Sequence, residues 1–233
     1  MAKLTWHGHS CFLLETDDGQ RILFDPFLDQ NPASDIKADE VGELDFILVS
    51  HGHADHFADA IPLAKRTGAT LVSSFEIVSF VQSQGVENAH PLSIGGGHTF
   101  DFGYAKMTPA LHGGEVAGDE SGKFTTMPGG WWLELNGGKR VYHAGDTACF
   151  SDMALINEIY EPKIGIVPIG DRFTMGGRLA ATACKRFYHF ETAVPCHYGT
   201  FPIIDQRADK FIAEMGESEA KVLVPERGKA VDL

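Results

Sequence analysis

The chain has 233 residues, of which 43% are hydrophobic, and its 19 basic and 32 acidic residues give a formal net charge of −13. This length suits one domain with a substantial core, while no segment approaches the ~18–20 uninterrupted apolar residues of a membrane span. The acidic balance argues against a general nucleic-acid surface, and the opening MAKLTWHGHSCFLLE lacks the apolar run of a signal peptide, so we expect a cytoplasmic protein.

Strands are predicted at the start of the chain, where LTWHGHSCFLLET and QRILFDPF flank a hairpin-type turn at Asp17–Gly19. A buried strand is predicted at Leu44–Ser50. The helix that follows is expected to have Asp59 as its N-cap, Pro62 in its first turn and Gly68 at its end. A strand at ATLVSS and a helix at FEIVSFVQSQG complete this first block.

The second half of the chain repeats this order of elements. Strands are predicted at Thr99–Phe102 and Tyr104–Pro109, and WWLELNGGKRVYHAGD is predicted to be a hairpin turning at Asn136–Gly138. Helices and strands then alternate. Two such blocks predict an α/β protein of the α+β type, a four-layer αβ/βα sandwich in which two mixed sheets face each other with helices outside. Because no low-complexity linker separates the blocks, residues 1–233 are predicted to form a single domain.

Three histidines and one aspartate fall within the six residues HGHADH, directly after the predicted buried strand. Residues two apart on a helix point in nearly opposite directions, so His51 and His53 could share an ion only in an extended segment. The predicted helix also starts beyond the cluster, and we therefore expect the motif on a loop at the strand end. His51 and His53 then point to one place, and Asp55 and His56 to a neighbouring one.

Imidazole and carboxylate groups are ligands that zinc, manganese and iron accept. Packing several of them together without a cation is unfavourable, because buried histidines and aspartates need partners. Further candidates stand at the ends of later strand-like segments: His112 in TPALHGG, His143 and Asp146 in VYHAGDT, and His197 in VPCHYGT. Functional residues commonly occupy loops at one rim of a rigid scaffold. These positions therefore indicate that the candidate ligands gather in one place.

Together, HGHADH, His112, GDT and CHYGT resemble the metallo-β-lactamase fold superfamily. The closest resemblance is to its branch of small cytoplasmic metal-dependent hydrolases, which includes the ascorbate-6-phosphate lactonase type. WHGHSCF, FDPF, PIGDRFTMG and PCHYGTFP match that branch as well, so the resemblance covers nearly the whole chain in order. It is specific for the superfamily and much less so for the substrate.

The resemblance implies a dinuclear centre with two divalent metal ions, zinc by default and manganese as the strongest rival. The implied ligands form two groups joined by a bridging residue: His51, His53 and His112 for one ion, Asp55, His56 and His197 for the other, and Asp146 between them. Two such ions can hold a shared hydroxide that attacks the substrate, and can polarise the substrate's oxygen. Asp55 is expected to orient this hydroxide as well as bind metal.

Several residues outside the implied ligand set have both a functional and a structural explanation. His7, His9 and Asp25 either orient ligands through hydrogen bonds or are structural, and His143 is either such a group or a packed core residue. Tyr198 and His143 are the candidates for the acid that protonates the leaving group.

Two loops and a pair of tryptophans could either take part in the pocket or have only a structural role. The segment GDRFTMGG, residues 170–177, either shapes the pocket or is a connecting loop. The glycine-rich run 113–130 could form a mobile lid. Trp131 and Trp132 would point to opposite faces of their strand, so at most one of them can line a pocket.

The reaction class follows from the resemblance at one position. Relatives that use two irons for redox chemistry carry glutamate at the position of His53, so histidine here favours hydrolysis of a small molecule. The preferred substrate is a lactone or other small ester, often phosphorylated. The alternatives are a phosphodiesterase or ribonuclease of the tRNA-processing kind, which the acidic balance disfavours, and a non-catalytic ligand sensor that keeps its metals.

Overall fold

The computed structural model describes residues 1–233 and contains two seven-stranded mixed sheets with six α-helices. The first sheet is built from β1 (Lys3–Trp6), β2 (Phe12–Glu15), β3 (Arg21–Phe24), β4 (Phe46–Leu48), β5 (Thr70–Ser74), β6 (Ala89–Leu92) and β14 (Val231–Asp232). The second is built from β7 (Gly97–Phe100), β8 (Gly103–Pro109), β9 (Gly129–Leu135), β10 (Arg140–His143), β11 (Ile164–Pro168), β12 (Thr192–Cys196) and β13 (Lys221–Val222). The helices are α1 (Ala54–Phe57), α2 (Ala60–Thr67), α3 (Phe75–Ser83), α4 (Met153–Tyr160), α5 (Gly177–Phe187) and α6 (Asp209–Met215).

The two sheets share one plan of strand order. The first runs β14-β1-β2-β3-β4-β5-β6 and the second β13-β12-β11-β10-β9-β8-β7. In each, the strands that come first along the chain pair antiparallel and the later ones pair parallel, except that β14, the last strand, pairs antiparallel with β1. The predicted αβ/βα sandwich of two mixed sheets is thereby confirmed.

Alternating side chains of the first sheet divide the interior into two apolar layers. Phe12 and Leu14 on β2 belong to the core between the sheets, which Trp131 of the second sheet also fills. Leu13, between them in sequence, belongs to a separate core beneath α1–α3. Because successive strand residues point to opposite faces, burial of both faces requires an uninterrupted apolar run, and this is why FLL and RILF carry no polar alternation.

The strand directions bring distant segments to one edge of the molecule. Strand β9 is antiparallel to both β8 and β10, and β11 and β12 run parallel to β10. The carboxyl ends of β8, β10, β11 and β12 therefore lie at the same edge of the second sheet. The Gly129 N–H donates to the Ser50 carbonyl oxygen at 3.1 Å, which joins this edge to the segment that follows β4.

The HGHADH motif is not entirely in a loop, and the prediction is wrong for its second half. His53 is the extended residue before α1, and α1 is a single helical turn that contains Asp55 and His56. The chain leaves the helix at Ala58 before α2 begins. Pro62 thus prevents only a continuous helix through the cluster, not a short turn ahead of it.

Three other sequence expectations need correction at the level of elements. The predicted first strand LTWHGHSCFLLET is two antiparallel strands, β1 and β2, because the chain reverses at Gly8 and His9, whose φ angles are 93° and 53°. Strands β6 and β14 were not expected; both are short and lie at the edges of the first sheet. Asp59 does precede α2, but its carboxylate accepts from the N–H groups of Leu28 and Asp29 at 2.6 and 3.2 Å rather than capping the helix.

Both tryptophans of the predicted pair are buried, so neither lines an open pocket. Trp131 is in the core between the sheets, and Trp132 packs against Tyr104 and Tyr160 on the opposite face of β9. Among the helices, none combines the length and the apolar character that crossing a bilayer requires.

Candidate metal centre

Three histidine side chains from two distant segments converge at the end of β4. His51 Nε2 lies 3.0 Å from His53 Nδ1, and His112 Nε2 lies 3.2 Å from the same atom. Two ligand atoms that each stand about 2.0–2.1 Å from one tetrahedral zinc ion are about 3.3 Å apart. The three nitrogen atoms therefore have the spacing of ligands that share an ion, and they can be held by one divalent cation.

A second group of side chains lies beside the first. Asp55 and His56 come from α1, and His197 follows β12; their ligand atoms approach one another closely enough to share an ion. His197 Nε2 is 3.7 Å from Asp55 Oδ2. His9 is also part of this group, because its Nε2 lies 3.0 Å from Asp55 Oδ2.

Asp146 lies between the two groups. Its Oδ2 atom is 3.0 Å from His197 Nε2, 3.3 Å from His56 Nε2 and 3.6 Å from His112 Nε2. Asp146 follows Gly145, whose φ of 63° is in the left-handed region and turns the chain out of β10 towards the site. The structure thus brings together all seven side chains that the sequence suggested as ligands.

The orientation of two of these rings is fixed by one buried carboxylate. Asp25 Oδ2 accepts from His56 Nδ1 at 2.8 Å and from the Ser50 hydroxyl at 2.7 Å, and Asp25 Oδ1 accepts from the Ser50 N–H. Since the Ser50 hydroxyl donates to Asp25, it accepts from His51 Nδ1 at 3.0 Å. Protons on both Nδ1 atoms leave the Nε2 lone pairs of His51 and His56 directed into the cluster.

Buried polar atoms without a partner mark the middle of the cluster. His56 Nε2, His197 Nε2 and Asp146 Oδ1 are all shielded from solvent and make no hydrogen bond. The two ring nitrogens are near Asp146 Oδ2, but they are not aligned with it as hydrogen-bond donors. Because an unsatisfied buried polar atom costs about 1–3 kcal/mol, a cation bound in the cluster would supply a partner for these atoms.

The pKa shifts describe a site that attracts positive charge. Burial tends to lower the pKa of His56 and His197, but the nearby carboxylates, Asp146 foremost, outweigh it and raise the pKa of His197 to about 9 and that of His56 well above its usual value. Burial would raise the pKa of Asp55, yet the neighbouring imidazoles lower it. Metal ions bind the deprotonated forms of such ligands, so divalent cations can take the place of these protons.

Two histidines of the first group, His51 and His112, have lowered pKa values. Burial and the neighbouring imidazole of His56 lower the pKa of His51 well below its usual value, and burial also lowers the pKa of His112. Burial, with His197 nearby, lowers the pKa of His9 to about 4. Neutral imidazoles with free lone pairs are the form that binds a metal ion.

The other residues singled out from the sequence divide into two sets. Asp25 and His9 contact the cluster, as described above, whereas His7 Nδ1 pairs with Asp35 Oδ1 at 2.9 Å and contacts no proposed ligand. His143 is a packed core residue: its ring stacks on Phe24 at 5.3 Å, Nε2 donates to the Ser10 carbonyl and Nδ1 accepts from the Gly145 N–H.

Neither candidate for the leaving-group acid lies in the cluster. The two nitrogens of His143 are already hydrogen bonded. Tyr198 is buried in the core between the sheets, where it stacks on Trp6 at 5.1 Å, and burial raises the pKa of its hydroxyl to about 12.

Both loops that the sequence associated with the pocket touch the site. In segment 170–176, the Met175 N–H donates to the carbonyl oxygen of Thr147, the neighbour of Asp146. A Cβ on Gly170 would meet the His197 backbone at 2.2 Å, so this loop packs directly on that residue. In the run 113–130, whose last two residues begin β9, the Ala117 N–H donates to the Gly52 carbonyl oxygen at 2.8 Å, which holds the loop before β9 against the motif.

Two residues of the site went unnoticed in the sequence. Ser50 links Asp25 to His51, and Thr200 contacts His9 Nδ1 at 2.9 Å. Each is close to a ligand in sequence, in SHGH and CHYGT respectively. That proximity is the only signal available, because a hydroxyl side chain at a strand end is otherwise unremarkable.

Comparison with known proteins identifies the family of this chain. Residues 20–198 match the family model described as "Beta-lactamase superfamily domain". The chain is 48% identical to a UPF0173 metal-dependent hydrolase of Chelativorans sp. (strain BNC1), over 99% of this chain and 100% of that protein, and 46% identical to one of Mesorhizobium japonicum with the same coverage.

Among solved structures, Igni18, described as a novel metallo hydrolase from the hyperthermophilic archaeon Ignicoccus hospitalis KIN4/I, superposes with a TM-score of 0.87. It is 35% identical in sequence, and the match covers 99% of this chain and 97% of Igni18. Fold and sequence thus agree along the whole length of the molecule. The chain belongs to the beta-lactamase superfamily and, within it, to the UPF0173 metal-dependent hydrolases.

Proposed function

We propose that this protein is a dinuclear hydrolase that acts on a lactone or other small ester. One ion would be held by His51, His53 and His112, the other by Asp55, His56 and His197, with Asp146 bridging the two. The observation that carries the proposal is the position of Asp146 Oδ2, which lies within 3.0–3.6 Å of ring nitrogens from both groups without forming a hydrogen bond to them. A carboxylate in that position is suited to two cations.

The donor set favours zinc. Five imidazole nitrogens and two carboxylates are ligands that zinc accepts readily, whereas manganese prefers sites richer in oxygen. Zinc is therefore our first choice and manganese the rival. When bound, two such ions lower the pKa of water and polarise the substrate's reacting oxygen.

The chain's own side chains supply positioning. Asp55 has the most solvent-exposed carboxylate of the three in the site, at 28%, whereas those of Asp25 and Asp146 are almost fully buried. It is thus the acidic group best placed to accept a hydrogen bond from an attacking water and to orient it towards the substrate. Asp25 and Ser50 hold the rings of His56 and His51 in place while the substrate reacts.

Hydrolysis is favoured over redox chemistry by the composition of the first group. Histidine at position 53 gives that group three nitrogens and no carboxylate, which suits Lewis-acid chemistry on an ester. A phosphodiesterase remains the second candidate, since a pair of divalent ions also serves phosphoryl transfer. A ligand sensor would bind metal and hydrolyse nothing.

The test is a substrate panel applied to the zinc-loaded protein. We expect turnover of lactones or small esters and little of bis-p-nitrophenyl phosphate. His53→Ala and Asp146→Ala should each abolish hydrolysis while circular dichroism shows a folded chain, and His98→Ala, a histidine outside the cluster, should leave the rate unchanged. Preferential turnover of the phosphodiester would select the second candidate. Full activity in both site variants would exclude the proposed centre.

A further inference from the structure

His9 links the first turn of the chain to the second group of proposed ligands. Its ring is completely buried and lies with its centre 4.0 Å from that of His197. Its backbone carbonyl accepts from the His197 N–H at 3.0 Å, and its Nε2 lies 3.0 Å from Asp55 Oδ2. One residue near the start of the chain therefore contacts both Asp55 and His197. It makes no contact with the three-histidine group of His51, His53 and His112.

The other nitrogen of His9 faces a buried hydroxyl. Thr200 Oγ1 lies 2.9 Å from His9 Nδ1 and 3.4 Å from the Tyr198 carbonyl oxygen, and its single proton can be donated to only one of them. If it went to the carbonyl oxygen, His9 Nδ1 would carry the imidazole proton, and the lone pair of Nε2 would face a carboxylate oxygen at 3.0 Å. That contact is repulsive. Donation to His9 Nδ1, the shorter of the two contacts, removes the conflict.

The backbone around His9 indicates that this ring position is constrained. His9 has a φ of 53°, in the left-handed region that residues other than glycine rarely adopt. The Trp6 indole N–H donates to its carbonyl oxygen at 3.0 Å, and the rings of Phe27 and Phe201 contact its side chain edge-on. Such strain persists where surrounding contacts hold it, and here it directs the imidazole at Asp55.

We infer that His9 is a positioning residue for the second metal site, set by Thr200. The Thr200 hydroxyl donates to His9 Nδ1, which places the imidazole proton on Nε2, and Nε2 donates to Asp55 Oδ2. This hydrogen bond holds the Asp55 carboxylate in the orientation in which it binds the second ion. The inference rests on the proposed dinuclear centre. Loss of such a supporting hydrogen bond weakens metal binding by about 10- to 100-fold.

The first test uses Thr200, whose hydroxyl contacts His9 but none of the seven proposed ligands. Zinc affinities of the metal-free variants are measured by competition with a chromophoric chelator. Thr200→Val should weaken one of the two zinc-binding steps by about 10-fold or more and leave the other unchanged. Thr200→Ser keeps the hydroxyl and should bind both ions with the wild-type affinities. In a His197→Ala background, where the second site lacks one of its proposed ligands and we expect only the three-histidine group to bind zinc, Thr200→Val should have no effect. Equal weakening of both steps, or none, would overturn the inference.

The second test separates positioning from direct ligation by His9. Glutamine can present an N–H near the place of His9 Nε2 but is a poor zinc ligand, so His9→Gln should keep the second ion with an affinity close to that of Thr200→Ser. His9→Ala should weaken it by at least 10-fold. If His9→Gln loses the second ion as fully as His9→Ala does, His9 is itself a ligand and the inference is wrong. A wild-type chain that binds fewer than two ions would instead count against the proposed function.

Discussion

Gly52 shows how a single residue determines the shape of the metal site. It separates His51 from His53, and a Cβ at this position would lie 2.4 Å from the Glu115 carbonyl oxygen and 2.8 Å from the Val116 Cα. Its own carbonyl oxygen accepts from the Ala117 N–H. The loop before β9 can therefore pack on the motif only because no side chain stands between the two histidines.

We predict that Gly52→Ala destabilises the protein by about 1–3 kcal/mol, because the added methyl group meets backbone atoms that cannot move aside easily. Thermal or urea unfolding measures this directly. Gly42→Ala is the matched control, since a Cβ there would meet only the Arg21 guanidinium at 3.9 Å. Equal stability of the two variants would show that the loop is not held against the motif.

The candidate ligands of the site could be predicted from the sequence, whereas the hydrogen-bond partners of individual side chains could not. The seven suggested ligands could be identified because imidazole and carboxylate groups recur at strand ends in a recognisable order. Asp59 was expected to cap α2 but accepts from Leu28 and Asp29 instead. His143 resembled a possible site residue and is a core residue. Hydrogen bonds between residues distant in the chain decide such cases, and local sequence does not contain them.

At the scale of elements, the apolar runs indicated the central strands well and the short elements poorly. Strands β2, β3 and β11 are buried on both faces, and their sequences are correspondingly apolar. Strands β6 and β14 lie at an edge and are only partly buried, so they lack that signal. Helix α1 is a single turn, too short for a 3.6-residue period to become visible.

Helix α6 illustrates how an outer helix is attached to the sheet. Phe211 is completely buried in the core between the sheets and the outer helices, whereas its neighbour Ile212 is 44% exposed. We predict that Phe211→Ala lowers the free energy of unfolding by about 3–5 kcal/mol, the cost typical of a buried phenylalanine.

Chemical denaturation of Phe211→Ala and of the control Ile212→Ala checks this prediction. The control should change the free energy of unfolding by no more than about 0.5 kcal/mol. A similar loss in both variants would mean that α6 is held by its whole surface rather than by the buried ring.

At the scale of the whole molecule, the proposed metal site is where the two sheets meet, with residues from both halves of the chain. Its proposed ligands follow β4, β8, β10 and β12, and His9 adds the turn between β1 and β2. The overall sandwich and the convergence of these strand ends could be predicted from the order of elements and from resemblance. The distances within the site could not, since they depend on how the two sheets pack.

Because the ligands come from segments far apart in sequence, bound ions should stabilise the whole fold. A ligand at 100 times its Kd adds about 2.7 kcal/mol to stability, and each kcal/mol shifts the Tm of a protein this size by about 2–4 °C. We therefore predict that chelation lowers Tm by roughly 5 °C or more, as measured by scanning calorimetry. The Asp146→Ala variant should respond less, and a Tm unaffected by chelation in the wild type would contradict the prediction.

The proposal of two cations held by seven side chains is tested most directly by the metal-to-protein ratio. Protein reconstituted with zinc and desalted should contain two zinc ions per chain by elemental analysis, His53→Ala one, and His197→Ala one. A fully folded wild-type chain that retains one ion or none, or variants that both retain two, would contradict the account.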